Sequence, residues 1–376
     1  MDSASIRGFI TLILIFIALL LSAFLLTVKT KNKTSNQLMA IYFIVFSIHI
    51  SVFFYANYVQ VPVTLDMLRD QIGFLASPLL YLYVVSCIYS YFKLQPKHLL
   101  HLIPFAIELL IYFPNFYLVS KEQQIEFYNN YYSNIETKIS LVYGLLVSIV
   151  YLAFIFIELK KYKELLLENY SSITNYNYKW LFQLASISVV LISLSLIKSI
   201  YKLFGSDEEI LDVMRIITTL VLLGYLCWIV LKSLYQPELF RGIDTKHQLV
   251  KNFLEEKTKD TKEGVLEEVS EVKKFMEEER PYLNSSLTIH NLANQMNIPY
   301  RDLSILINHN IGQHFFEFVN GYRINRAKEI LENPENKKLT VLEILYEVGF
   351  NSKSSFNTEF KKQTGLTPTQ YRKKHL

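Results

Sequence analysis

The chain has 376 residues, of which 51% are hydrophobic, 14% aromatic and only 19% charged, with a mean hydropathy of +0.22. Soluble chains carry roughly 25% charged residues, so this composition disfavours an all-soluble protein. The net charge of +4 gives no global attraction for nucleic acid, and two cysteines inside apolar runs, Cys87 and Cys227, exclude a disulfide framework or a thiolate zinc site.

Polarity is unevenly placed. Residues 1–237 hold 17 Lys/Arg and 14 Asp/Glu, whereas the last 139 residues hold 21 and 20. Crossing a ~30 Å hydrocarbon layer takes about 20 apolar residues at ~1.5 Å rise each. Seven stretches meet or approach that length: 6–28, 38–59, 72–92, 99–119, 139–159, 180–204 and 211–234. The fourth is interrupted by Pro104 and Pro114, with Glu108 at its middle. The first has no convincing cleavage site and is longer than a signal-peptide core, so it reads as a retained span.

Basic residues in short loops set orientation. The first, third and fifth loops carry nine (Lys29, Lys31, Lys33, Lys93, Lys97, Lys160, Lys161, Lys163, Lys179), against four (Arg7, Arg69, Lys121, Lys138) for the N-terminus and the other loops. The bias predicts the N-terminus outside and, after seven spans, a charged C-terminal region in the cytoplasm.

Composition changes after Pro237. Residues 238–280 hold 9 basic and 12 acidic residues, with Gly264 predicted to divide two helical stretches. In the second, Val265, Val269, Val272 and Met276 form one narrow apolar stripe. The stripe suits either packing on the following domain or a short homodimeric coiled coil through 265–276.

Residues 281–376 contain two similar halves. Leu287-Thr288-Ile289 is matched by Leu339-Thr340-Val341, and Leu292, Met296 and Ile298 by Ile344, Val348 and Phe350, all at an offset of 52. Each half predicts a short helix, a tight turn at Asn297 or Gly349, and a second helix opened by Pro299 or Asn351. Thr340-x-x-Glu343 is a capping box. A connecting helix over about 313–332 joins the halves and turns Phe315, Phe316, Val319, Tyr322, Ile324, Ala327 and Leu331 to a core. A helix, a turn and a second amphipathic helix make a helix-turn-helix, whose second helix can enter a major groove.

The stretches LTIHNLANQMNIPYRDLSILI, FFEFVNGYRINRAKEIL and LTVLEILYEVGFNSKSSFNTEFKKQTGLTPTQYRKK resemble the AraC family of bacterial transcription regulators. The resemblance covers about residues 267–376. The apolar region is similar, in architecture alone, to that of membrane-anchored variants of the family. The resemblance implies two recognition helices entering successive major grooves about 34 Å apart. By position, Arg301 and Ser304 would read bases from the first helix, and Lys353, Ser354 and Asn357 from the second. Arg301 suits guanine, whose O6 and N7 its fork can bond together. Ile305 and Thr358 depart from the long polar readers common in the family. Tyr300, Lys361, Lys362, Arg372, Lys373 and Lys374 are the candidate phosphate contacts. Arg323 and Arg326 read as structural, with Glu329 placed to pair with Arg326.

Other chemistry is thinly represented. His98-x-x-His101 with Glu108 reads as interfacial histidines rather than a metal site, so no metal or cofactor is expected. No phosphate loop, metalloprotease motif or sensor-kinase motif occurs, and no enzyme is predicted. Lys198, Lys202 and Arg215 oppose the charge bias near the outer ends of the last two spans. An ionisable group in a span suggests function or pairing. They form a candidate signal pocket for an anionic small molecule or lipid headgroup, with His49 and Glu108 as deeper members. The expected architecture is all-α: a seven-helix transmembrane bundle (1–237), a charged linker (238–266) and a cytoplasmic double helix-turn-helix domain (267–376). The expected function is a bacterial inner-membrane regulator coupling a signal to promoter DNA, with RNA polymerase and membrane lipid as partners. The alternative is a transporter or channel with a regulatory tail.

Overall fold

The computed structural model of the protein describes residues 3–30, 33–56, 58–89, 91–172, 178–204, 207–235 and 262–376. Among them the chain is helical and has no strand, apart from one antiparallel bridge pairing Tyr170 with Thr288. The chain forms two compact units. One comprises Met1–Leu159 and Asn177–Lys246, the other Lys160–Tyr176 and His247–Leu376.

In the first unit, seven helices among the described residues are long and apolar enough to cross a membrane. They are α1 (Ala4–Thr27), α2 (Lys33–Tyr55), α3 (Val63–Ile88), α4 (Pro96–Tyr117), α5 (Ile135–Asn169), α6 (Tyr178–Lys202) and α7 (Glu208–Ser233). Their outer faces expose large apolar side chains such as Phe9, Phe16, Leu20, Leu110, Leu146 and Ile217. A surface of this kind is stable where something apolar covers it. Polar groups inside are satisfied across helices. Ser22 Oγ in α1 donates to the carbonyls of Ala18 and Ala40, at 2.9 and 3.1 Å. Trp180 Nε1 donates to Tyr83 Oη at 3.1 Å and its ring stacks on Trp228.

Two details of this unit differ from the sequence expectation. The third helix begins at Val63 rather than 72, because Asp66 and Arg69 pair one turn apart at 2.6 Å and the hydroxyls of Tyr55 and Tyr128 also donate to Asp66. The prolines of α4 sit at element starts, Pro104 in the first turn of Ile103–Tyr112 and Pro114 in that of a π turn at Phe113–Tyr117. Their missing N–H groups cost least there.

The second unit begins, in the C-terminal part of the chain, with α8 (Lys262–Glu278). Gly264 lies in its first turn instead of dividing two helices; the helix expected before it lies outside the described residues. Val272 and Met276 are buried, and Val265 and Val269 pack partly buried on the same core. The stripe packs on its own domain, the first of the two expectations for it. The remaining helices are α9 (Ile289–Met296), α10 (Tyr300–Ile305), α11 (Phe315–Glu332), α12 (Val341–Glu347), α13 (Lys353–Thr364) and α14 (Pro368–His375).

Candidate nucleic-acid interface

Each half of the C-terminal unit is built by local capping chemistry. Thr288 caps α9, accepting from Asn291 N. Asn297 ends α9 in the left-handed conformation (φ 55°) and Pro299 precedes α10. In the second half, Thr340 Oγ1 accepts from Glu343 N at 3.1 Å while Glu343 Oε2 accepts from Thr340 N at 2.7 Å, the predicted capping box. Gly349 follows α12 at φ 89°, where a Cβ would stand 2.5 Å from the Tyr282 carbonyl oxygen. Conformation and space therefore both demand glycine. The cap of α13 is Ser352, one residue beyond the expected Asn351; its hydroxyl accepts from Ser355 N.

The long α11 joins the halves and serves both cores. Phe315, Phe318 and Val319 pack with Leu292, Leu303 and Ile307, whereas Ile324, Ala327 and Leu331 pack with Ile344, Phe356 and Phe360. Arg323, between these groups, is fully buried. Its guanidinium donates to the carbonyls of Tyr282 and Asn284 at 2.7 Å each and to Asn320 Oδ1 at 3.0 Å. Burial pulls its pKa down to about 9, so it remains charged at neutral pH.

The two recognition helices present different faces. In α13, Phe356 and Phe360 turn inward, Lys353, Ser354 and Thr358 are exposed, and Asn357 is half-buried. In α10 and the π turn that continues it (Leu306–Asn310), Leu303, Leu306 and Ile307 enter the core. Helical spacing puts Arg301, Ser304, Ile305 and Asn308 on the opposite side. Yet Ser304 is 0% and Ile305 only 5% exposed.

Residues 292–374 match the helix-turn-helix domain family. The C-terminal domain is an AraC-type helix-turn-helix domain. The chain is 30% identical over 105 residues to the Msm operon regulatory protein of Streptococcus mutans, covering 28% of this chain and 36% of that protein. It is 39% identical over 56 residues to the uncharacterised helix-turn-helix transcriptional regulator YdeC of Bacillus subtilis, covering 15% and 18%. It is 45% identical over 51 residues to an uncharacterised helix-turn-helix transcriptional regulator in the cgkA 5′ region of Pseudoalteromonas carrageenovora, covering 14% and 28%. The chain thus spans between 18% and 36% of the length of these relatives. No solved structure matches it.

Within the AraC-type domain, the candidate readers divide. Lys353 and Ser354 are exposed, with Asn357 half-buried beside them. Arg301 is half-buried, and Ser304 is enclosed, its hydroxyl accepting from Asn308 Nδ2 at 3.4 Å. In this arrangement Ser304 meets no base, since an enclosed hydroxyl reaches no groove. Tyr300 is likewise engaged as a donor to Asn169 Oδ1 at 2.7 Å, with its ring stacked on His290. Burial raises its pKa to about 12. Of the candidate phosphate contacts, Lys361, Lys373 and Lys374 are exposed, and Lys362 Nζ donates to Glu317 at 2.8 Å. Arg372 is half-buried, and its Nε and Nη2 have no hydrogen-bond partner among the described residues. Arg326 pairs with Glu329 at 2.8 Å as expected.

Sequence reasoning missed the segment that touches the AraC-type domain from a distant part of the chain. Residues 160–169 end α5, and Tyr162, Leu165, Leu166 and Asn169 are buried on one face, while Lys160, Lys161 and Lys163 are exposed. Ser171 follows: its N donates to Leu287 O at 3.1 Å, and its carbonyl and hydroxyl accept from Arg323 at 3.1 Å each. The signal was an apolar spacing of three and four that continues past the span into a lysine-rich run.

The candidate signal residues lie in the first unit. Arg215 Nη1 donates to Asp212 at 2.7 Å, and Arg7 Nη1 lies 3.6 Å from the same carboxylate. Lys202 Nζ lies over the Tyr132 ring at 2.8 Å from its centroid. Lys198 is half-buried. His49 and Glu108 engage other groups: His49 Nδ1 is 3.2 Å from the Asp70 carbonyl, and buried Glu108 accepts from Ser140 Oγ at 2.5 Å. Arg7 was not among the residues expected here; as an N-terminal basic residue it read only as a loop charge.

Proposed function

We propose that the chain is a membrane-embedded, one-component transcription regulator. The seven apolar helices sit in the cytoplasmic membrane of a bacterium and receive a signal. The AraC-type domain binds double-stranded promoter DNA in the cytoplasm. The observation that carries this reading is the presence in one chain of seven span-length helices among the described residues and a helix-turn-helix domain. Packing of residues 160–172 within the C-terminal unit supports it further, because the predicted fifth loop and the DNA-binding domain must then share a compartment. Lys353, Ser354, Asn357 and Arg301 are the base readers of this proposal, and Lys361, Arg372, Lys373 and Lys374 the phosphate contacts. Lys198, Lys202, Arg215 and Arg7 form the input site, for an anionic small molecule or lipid headgroup. His49 and Glu108 serve as polar packing groups behind it.

A genome-wide map of the tagged protein on DNA tests this function. Sequence-specific peaks at promoters are the expected result, with Lys353→Ala removing them at equal protein abundance. A full-length, membrane-inserted protein with no sequence-specific peaks overturns the proposal and leaves a transporter or channel with a docking tail.

A further inference from the structure

The first recognition helix would need its Arg301/Ser304/Ile305/Asn308 face open to enter a groove. That face is closed. Asn308 Nδ2 donates to the Glu168 carbonyl at 3.2 Å, and Tyr300 Oη, at the start of the same helix, donates to Asn169 Oδ1 at 2.7 Å. Asn169 is itself fully buried, and so is Leu166 one turn before it. Ser172 Oγ then donates to Asn351 Oδ1 at 3.1 Å, at the entry to the second recognition helix. The second helix is otherwise open, with Lys353 and Ser354 exposed.

We infer that residues 160–172 are an autoinhibitory clamp that occupies the DNA face of the first recognition helix, so that clamp and DNA compete for it. The inference rests on the DNA-binding reading of the domain. With the clamp seated, one recognition helix of two can engage, and the protein holds DNA by α13 alone. Release exposes Arg301 and its neighbours and adds the second major groove. The clamp is the end of α5, an uninterrupted helix from Ile135 to Asn169 whose earlier part is one of the seven span-length helices. A change in that helix therefore has a covalent route to the clamp. DNA displaces the clamp only if the second groove returns more than opening costs, so a clamp open about 1% of the time stays seated against a second groove worth about tenfold, and its release tightens binding by about that tenfold.

The test uses the full chain in lipid nanodiscs, with Cys87→Ser and Cys227→Ser as background. Ser304→Cys and Lys353→Cys are labelled with a maleimide in the absence of DNA. Ser304→Cys is expected to label about a hundredfold more slowly than Lys353→Cys. Leu166→Glu, or the milder Asn169→Ala, should bring the two rates together while leaving Lys353→Cys unchanged. Equal rates in the parent background overturn the clamp, whatever the domain binds.

DNA is then examined on a promoter fragment from the genome-wide map. The parent chain is expected to protect one major groove. Leu166→Glu should protect two, one turn apart, and bind about tenfold more tightly. Arg301→Ala should weaken binding only in the Leu166→Glu background, whereas Lys353→Ala should weaken it in both. An equal loss for Arg301→Ala in both backgrounds overturns the clamp. If Lys353→Ala changes nothing in either, the DNA-binding reading fails and the inference falls with it, an outcome the labelling rates distinguish from failure of the clamp alone.

Discussion

Arg323 and Ser171, 152 residues apart, are joined by two hydrogen bonds of 3.1 Å, one from each terminal nitrogen of the guanidinium. The same side chain satisfies the Tyr282 and Asn284 carbonyls and lies 5.5 Å from the Phe350 ring. It therefore links the first half, the second half and the segment after α5 through one buried charge. Replacing it by methionine keeps the apolar stem but leaves those oxygens buried without donors, at roughly 1–3 kcal/mol for each group that finds no water. Arg323→Met should destabilise the C-terminal unit by about 3–5 kcal/mol, and Arg323→Lys by less. Thermal proteolysis of the purified full-length protein, read on fragments of the C-terminal unit, measures the difference. Equal protease resistance for Arg323→Met would mean that the guanidinium holds nothing in place.

Gly349 is the second position where one atom decides. At φ 89°, with the Tyr282 carbonyl 2.5 Å from any added Cβ, Gly349→Ala forces both a strained backbone and a shift of a carbonyl that Arg323 uses. Strain alone costs about 1–3 kcal/mol. The variant should lower stability by at least that amount and misplace α13, reducing DNA affinity more than the stability loss explains. Gly365→Ala is a useful control, because it shares the positive φ of 75° but has open space around it. It should be the milder of the two in the same proteolysis assay.

Much of the C-terminal unit was legible because its elements are set by local chemistry. The Thr340–Glu343 box, the turns at Asn297 and Gly349 and the apolar face of α11 all depend on neighbours within a few residues. The span-length helices were legible for a similar reason, since length and hydropathy alone define them. The start of α3 was not, because Asp66 and Arg69 look like loop residues until Tyr55 and Tyr128 are seen to satisfy the carboxylate. The closed face of α10 was not legible either. Ser304 carries a polar side chain at a groove-facing position, and only the contacts of Glu168 and Asn169 reveal the cover. Nothing within ten residues of either partner predicts that pairing.

The exposed basic residues of the DNA-binding domain should give a steep salt dependence. The four phosphate contacts, Lys361, Arg372, Lys373 and Lys374, correspond to a slope of about −3.6 in log K against log salt. Lys361→Ala is expected to weaken specific and random duplexes equally and to reduce the slope by about one. Lys353→Ala should weaken the specific site more, by about 1–3 kcal/mol if it makes a good base contact. Fluorescence anisotropy over a salt series checks both. An equal loss for Lys353→Ala on specific and random DNA would make it a phosphate contact instead.

The proposed topology rests on the loop charges and on the packing of residues 160–172 within the C-terminal unit. Alkaline phosphatase fused after residues 120 and 207 should be active. Fluorescent protein fused after residues 170 and 376 should fluoresce. Activity of phosphatase at 376 would end the transcriptional reading, since promoter DNA lies inside.

The basic cluster of the first unit makes the last prediction. Arg7 and Arg215 share one carboxylate, that of Asp212, with Glu208 a longer 3.5 Å partner of Arg215 alone. Lys202 lies over the Tyr132 ring, with the Glu208 carboxylate acting on the same charge. Arg7, Lys198, Lys202 and Arg215 thus gather four basic groups around Asp212 and Glu208, with the Arg69, Asp66 and Asp70 group as the next charges along. An anionic group is the chemistry that would balance them, and a charge in a span without balance is costly enough to expect one. Lys198→Gln and Arg215→Gln should therefore abolish the response of a reporter driven by a target promoter, at equal membrane abundance, while leaving its basal level unchanged. Asp212→Asn should do the opposite, raising the excess charge and sensitising the response. A normal response from both Lys198→Gln and Arg215→Gln would show that these charges only anchor the helix ends at the headgroups.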